Sequence, residues 1–95
     1  MNAITESMDV VLEKKIVVTL DRAVQGYWDH GPKSRFEFTA TVERTPGPPA
    51  IRWGSWGANF WFVVNWKGSA KRHLAAVKRK LQRGTPRRKI EVEDL

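Results

Sequence analysis

The sequence predicts an α+β fold, in which a three- or four-stranded antiparallel sheet carries one basic amphipathic helix on one face, near the C-terminus. Two patterns predict this class. Three stretches between residues 14 and 66 alternate apolar with polar side chains, which is the period of a half-buried strand. A later stretch, residues 70–83, places its apolar side chains at helical spacing instead. The expected order is β-β-β-α, with a short final strand as an option.

The first two strands are predicted to form a hairpin. Residues 14–24 read KKIVVTLDRAV, in which every second residue from Ile16 to Leu20 is apolar. The segment 25–34 is dense in Gly, Asp and Pro and therefore predicts the connecting turn. Residues 35–44, RFEFTATVER, show the clearest alternation in the chain. One face of this sheet should be core and the other face wet.

A loop and a third strand are predicted next. Three prolines in TPGPP, residues 45–49, lack backbone donors and interrupt any strand. We expect the loop to cover residues 45–50, and the glycines that follow could extend it to Gly57. The third strand is then residues 59–66, whose even-numbered aromatic and aliphatic side chains face the core. This phase leaves Trp61 on the outer, polar face of the sheet.

The helix is predicted over residues 70–83. Ser69 is a suitable N-cap, and Gly84 with Pro86 should end the helix. His73 is expected to flank the buried stripe. The side chains predicted to form that stripe are Ala70, Leu74, Val77 and Leu81.

The whole chain is expected to form a single domain, because two cores would each have to be built from fewer than about 50 residues. Residues 1–9 show no sustained period and are expected to be a disordered N-terminus or a short lead-in. Residues 87–95 are expected to form either a short edge strand or a tail. An edge strand could pair two copies into a homodimer.

The charge of the chain is unevenly distributed. The net charge is +7, yet residues 1–43 carry seven acidic and only five basic side chains. Residues 44–90 carry twelve basic side chains and no acidic one. Ordinary surfaces intersperse both signs, so this window predicts an anionic partner.

The basic residues and part of the tryptophan set are the predicted binding site. Exposed indoles beside cations are the device by which single-stranded nucleic acids are held, through phosphate contacts and base stacking. The predicted stacking residues are Trp53, Trp56 and Trp61. The predicted anion-binding residues are Arg52, Lys67, Lys71, Arg72, Lys78, Arg79, Lys80, Arg83, Arg87, Arg88 and Lys89.

Two functions are compatible with these residues. The first is a non-enzymatic nucleic-acid-binding protein, for DNA or RNA, with low sequence specificity because base readout would rest on arginine alone. The alternative is a small modulator or inhibitor, of the kind that phages direct against host defence, which binds an acidic protein surface. Trp53 and Trp56 would then be anchors within a rim of arginines.

Several other classes are disfavoured by the sequence. There is no cysteine, and the two histidines, His30 and His73, lie far apart without a catalytic motif, so we expect no enzyme, no metal site and no cofactor. No apolar run is long enough to span a bilayer, and the N-terminus does not resemble a secretory signal. We therefore expect no membrane partner and a cytoplasmic or nucleoid-associated protein.

Overall fold

The fold is that of a computed structural model, which describes residues 3–20, 35–44, 46–57, 59–83 and 88–95. The described residues form two helices and five strands. In chain order these are α1 (Ala3–Leu12), β1 (Lys14–Leu20), β2 (Arg35–Val42), β3 (Ala50–Ser55), β4 (Phe60–Asn65), α2 (Ala70–Gln82) and β5 (Arg88–Asp94).

All five strands belong to one antiparallel sheet, in the order β4-β3-β2-β1-β5. The predicted α+β class is confirmed. The sheet has five strands rather than the predicted three or four, and the helix α2 is followed by β5, the final strand that the sequence leaves as an option. Because β4 and β5 are the two edges, the connection through α2 carries the chain from one side of the sheet to the other.

The strand that sequence analysis missed is β3. We expected a loop over residues 45–50 that could extend to Gly57, but Ala50–Ser55 pairs with both β2 and β4. The glycine at position 54, which suggested a turn, lies opposite Trp61 in the ladder. A cross-strand indole can supply the packing that glycine lacks, which allows glycine inside a strand. The turn before β3 does include Gly47 at φ 130°, a conformation that favours glycine.

The N-terminal segment also differs from the expectation. Most of residues 1–9, predicted to be irregular, belong to the helix α1. Val11 is fully buried and Met8 packs against the same core cluster. A short helix gains most of its stability from tertiary packing, so its local sequence gave little signal.

Both helices pack on the same face of the sheet. The core beneath them is formed mainly by alternate side chains of the strands, and in β2 the residues between the core positions are exposed. On β1, Val17 is also buried, although it is out of phase with Ile16 and Val18. α2 contacts both edge strands as well as α1. The buried core residues contributed by the strands are Ile16, Val18, Phe36, Phe38, Ile51, Trp53, Phe62 and Val64.

The remaining predicted elements are largely confirmed. Four elements begin within one residue of their predicted starts, namely β1, β2, β4 and α2. Ser69 caps α2 by accepting a hydrogen bond of 3.2 Å from the Arg72 backbone N–H. Within the segment 87–95, Arg88–Asp94 forms an edge strand, which pairs with β1 along seven residues. The predicted end of the first strand at 21–24, the turn at 25–34 with His30, and the helix stop at Gly84 and Pro86 lie outside the described residues.

Candidate functional site

The orientation of α2 places its cations in solvent. His73, Val77 and Leu81 are the buried residues of the helix, while Ala70 and Leu74 are half-buried. The helix is therefore turned slightly toward His73, which was expected only to flank the buried stripe. The exposed cations of α2 are Lys71, Arg72, Lys78, Arg79 and Lys80, and Arg83 follows at the C-cap.

Five cations line a hollow surface between α2 and the edge strand β4. One hollow of about 400 Å³ is bounded by both faces of β4 and by α2. A second, of about 370 Å³, adjoins it and shares Lys67 and Arg79. We call the combined surface the basic groove; its cations are Lys67, Arg72, Arg79, Lys80 and Arg83.

Small residues of α2 make room for this groove. Ala76 lines the first hollow and Ala75 the second, so no bulky side chain fills the space between helix and strand. The ammonium of Lys80 lies 5.5 Å from the centre of the Phe62 ring, a cation–π contact that holds its alkyl stem against the edge of the core. Small and apolar side chains thus form part of the groove wall, and the cations line the same hollows.

The groove cations have no carboxylate partners in the described part of the chain. Every ion pair found there joins residues of β1, β2 and β5. This distribution follows from the sequence, because residues 44–90 contain no Asp or Glu to share the groove. The positive potential of the groove is therefore not neutralised by the described residues around it.

The charged side chains on the outer face of β1, β2 and β5 form ion pairs with one another. On the outer face of β1, β2 and β5, Lys15 and Arg35 each donate to Glu37 at 2.9 Å, and both also approach Glu93. Lys89 lies 3.8 Å from Glu91. Hydrogen bonds from Lys15 and Arg35 hold the pKa of Glu37 below its ordinary value. We call this surface the paired face.

The same outer side of the sheet becomes aromatic toward β4. Trp56, in the turn after β3, is 87% exposed, and Trp61 on β4 is 36% exposed. Their ring centres are 5.2 Å apart and their planes are at 83°, so the two indoles form a corner. A hollow of about 400 Å³ lies at this corner. We call it the tryptophan face; its lining residues are Thr39, Thr41, Arg52, Gly54, Trp56 and Trp61.

Gly54 determines where the Trp61 indole can lie. The two residues are direct partners in the β3–β4 ladder. A Cβ atom on Gly54 would fall within the Trp61 ring, so the indole occupies the space that any other side chain would take. Glycine at this position therefore allows Trp61 to lie down over the strand instead of standing away from it.

Trp53 is not part of this surface, which corrects the prediction that it stacks on a ligand. It is fully buried, and its Nε1–H donates a hydrogen bond of 3.1 Å to Nε2 of His73. The predicted loop over residues 45–50 could extend to this tryptophan, whereas the register of β3 points Trp53 inward with Ile51 and Ser55. Its role is to connect the sheet to α2.

His73 is a buried histidine between two tryptophans. Its ring lies 6.2 Å from that of Trp53 and 5.4 Å from that of Trp66. Because Nε2 accepts from Trp53, the neutral ring carries its proton on Nδ1, which has no hydrogen-bond partner among the described residues. Burial lowers the pKa of His73; the nearby Asn65 backbone opposes this without reaching hydrogen-bonding geometry, and the charge of Lys67 adds to it.

The structure does not bring all predicted site residues together. Lys71 and Lys78 are exposed but line neither hollow. Lys89 lies on β5, at the edge of the sheet opposite the groove, and is paired. Arg87 lies outside the described residues, and for Arg88 only the backbone is described.

Several lining residues carried no functional signal in the sequence. Val63 and Asn65 face outward on β4 and line the basic groove, and Thr39 and Thr41 line the tryptophan face. The threonines could be placed on the outer face by alternation, but their proximity to Trp61 depended on the missed strand β3. Gly54 offered the one recognisable sign, a glycine between tryptophans.

The basic groove and the tryptophan face meet at β4. Val63 follows Trp61 by two residues on the outer side of this strand and also lines the groove with Arg79 and Lys80. Arg52 is the ladder partner of Val63 and lines the tryptophan face. The two surfaces are therefore continuous around the β4 edge of the sheet.

Comparison with known proteins gives no relative: no family model, no characterised protein and no solved structure matches the chain significantly. Within the described ranges, no group of three or more histidine and acidic side chains could hold a metal ion. No helix among the described residues combines the length and apolar character needed to cross a membrane.

Proposed function

We propose that the protein is a non-enzymatic nucleic-acid-binding protein with low sequence specificity. In this proposal the basic groove binds phosphates and the tryptophan face stacks on bases. The observation that carries it is the set of five groove cations without a carboxylate partner in the described part of the chain.

The like charges of α2 support a polyanionic ligand. Arg79 and Lys80 lie four and three residues before Arg83, and like charges at this spacing cost some tenths of a kcal/mol per pair. Lys71 and Arg72 also lie in the first turn, where the helix dipole disfavours cations by about 0.3–1 kcal/mol each. An anion that enters the groove relieves both terms.

The aromatic corner favours a nucleic acid among the possible polyanions. Each base that stacks on an aromatic side chain contributes about 1–3 kcal/mol, and every base offers a ring face. Trp56 is almost fully exposed and lies on a surface continuous with the groove. Charge alone would serve any anion, whereas charge beside exposed indoles suits bases and phosphates together.

The proposal is tested by titrating the protein with a single-stranded oligonucleotide, a duplex and an RNA hairpin at two salt concentrations. Tryptophan fluorescence reports the binding, because Trp56 and Trp61 lie at the proposed site. We expect quenching by at least one of the three ligands, weakened by salt. Absence of binding to all three at low salt would refute the proposal.

A protein partner is the second candidate, and the free edge of β4 favours it. β4 pairs only with β3 among the described strands, so an extended acidic segment could add to the sheet beside the groove. Trp56 would then be an anchor at the interface. Failure of all nucleic-acid titrations would favour this function.

A further inference from the structure

We infer that the ligand is single-stranded: a segment of nucleic acid with unpaired bases lies on the tryptophan face and crosses the β4 edge into the basic groove. The inference rests on the proposed function and specifies its substrate class. Unpaired bases of DNA and of RNA share the required chemistry, a free ring face joined to a phosphate.

The corner formed by the indoles requires an exposed base. Trp61 lies over Gly54, and Trp56 stands nearly perpendicular to it. A planar ring can lie against one indole and meet the other at its edge, which are the two favourable aromatic arrangements. Within a duplex both faces of every internal base are covered by neighbouring bases, so only an unpaired or splayed-out base reaches this corner.

Polar groups border the corner on the side away from β4. The Thr39 and Thr41 side chains and the Arg52 guanidinium line the same hollow. A hydroxyl both donates and accepts, so the two threonines can meet the hydrogen-bonding edges of different bases. Arg52 belongs to none of the ion pairs among the described residues and can donate to a base edge or to a phosphate.

The route from the corner to the cations is short. Residues two apart on one face of a strand are separated by roughly 7 Å, which is the distance from Trp61 to Val63 at the groove rim. From there the arginines of α2 extend from Arg72 to Arg83, roughly 16 Å along the helix axis. Because β4 is an edge strand among the described residues, no described strand blocks the passage.

The paired face sets the other boundary of the site. Across β1, β2 and β5, the charges Lys15, Arg35 and Lys89 are met by Glu37, Glu91 and Glu93. A nucleic-acid backbone that ran across the paired face would meet cations already neutralised by glutamates instead of the groove cations. The charge pattern therefore directs the strand toward α2.

The test compares three probes of one length: single-stranded DNA, single-stranded RNA of the same sequence, and duplex DNA. Their affinities are measured by fluorescence anisotropy for the natural protein, Trp56→Ala, Trp56→Phe and Leu95→Ala. Leu95 is the control, since it is 69% exposed and directly follows β5. Circular dichroism and thermal unfolding verify that each variant is folded.

We expect at least one single-stranded probe to bind about tenfold tighter than the duplex, because stacking adds to the phosphate contacts. Trp56→Ala should weaken that binding about tenfold and change duplex binding less than about twofold. Trp56→Phe should recover most of the loss, because it restores a ring face. Leu95→Ala should leave every affinity unchanged.

Equal affinity for duplex and single strands, unaffected by Trp56→Ala, would overturn the inference while leaving the proposed function intact. No binding by any probe would refute the proposed function itself. Gly54→Ala provides a second variant, because its Cβ would displace the Trp61 indole from the strand. If this variant is folded and binds single strands as well as the natural protein does, Trp61 has no part in the site and the inference fails.

Discussion

The two edges of the sheet differ in how their surface charges are paired. β5 and its neighbours carry lysine, arginine and glutamate side by side, and their charges pair within the sheet. β4 carries aromatic and aliphatic residues and stands beside a helix whose cations have no carboxylate partner in the described regions. Charged edge strands discourage unwanted pairing. The charges at one edge are therefore neutralised within the sheet, whereas we propose that a ligand neutralises the cations at the other.

The inner and outer faces of the sheet near β4 also use tryptophan in different ways. Near β4, one indole belongs to the core and two belong to the surface, although all three lie within nine residues of sequence. Alternation along β3 and β4 separates them, since Trp53 points inward and Trp61 outward. Stability and binding at this edge should therefore depend on different indoles.

The largest expected effect is on the free energy of unfolding, when the buried and the exposed indole are removed one at a time. Trp53→Ala removes a fully buried ring and leaves His73 without its hydrogen-bond donor, so it should lower the free energy of unfolding by about 3–5 kcal/mol. Trp56→Ala should change it by less than about 0.5 kcal/mol, because the ring is exposed. Urea denaturation measures both values. Similar losses in the two variants would place Trp56 in the core and remove the aromatic surface.

The core beneath α2 and the paired face should also respond to acid in different pH ranges. The pKa of His73 is lowered in the folded state, so the unfolded chain binds the proton more tightly, and stability should decline as the pH falls below the ordinary histidine value of 6.5. The loss can reach about 1.4 kcal/mol per pH unit. Glu37 also has a lowered pKa, so the contribution of the paired face should persist until the pH falls below 4.5.

Urea unfolding from pH 8 to pH 3 distinguishes these two steps. His73→Asn should remove the upper decline and Glu37→Gln should reduce the lower one. His30→Asn, the control for the other histidine, should retain the upper decline. A natural protein with constant stability between pH 7 and pH 5 would show that His73 is not held neutral by its burial.

The smallest expected effect is on salt dependence. Five phosphate contacts predict a slope of log K against log salt of about −3.5 for a single strand and about −4.5 for a duplex. Arg79→Ala should make the single-strand slope shallower by about 0.7, because one contact is lost. Lys14→Ala removes a cation that pairs with Asp94 and lies outside the groove, so it should not alter the slope. Equal changes in both variants would mean that net charge, not the groove, governs binding.

Much of the fold could be predicted from the sequence where one residue pattern determined one face. The alternation in β2 and the capped stripe of α2 gave the inner face of the sheet and the buried side of the helix. β3 could not be predicted, because its glycine is stabilised by Trp61, a residue on another strand. α1 was missed because its packing against the core is a tertiary effect.

The site was predictable in composition but not in arrangement. The absence of acidic residues from 44–90 predicted cations without neighbouring carboxylates, and no described carboxylate lines the groove. Which cations converge depended on the position of β4 beside α2, and that position separates Lys89 from Arg79. The inward direction of Trp53 likewise required the register of β3.

The central claim, that the groove cations are completed by a polyanion, is tested most directly by two charge reversals of equal size. Arg79→Glu lies in the groove, and Lys89→Glu lies on the paired edge. In titrations with a single-stranded oligonucleotide, Arg79→Glu should weaken binding about tenfold or more, a loss of about 1.4 kcal/mol, without loss of thermal stability. Lys89→Glu should weaken it less than about twofold, because distant exposed charges are largely screened. Equal weakening by the two variants, or none by Arg79→Glu, would contradict the claim.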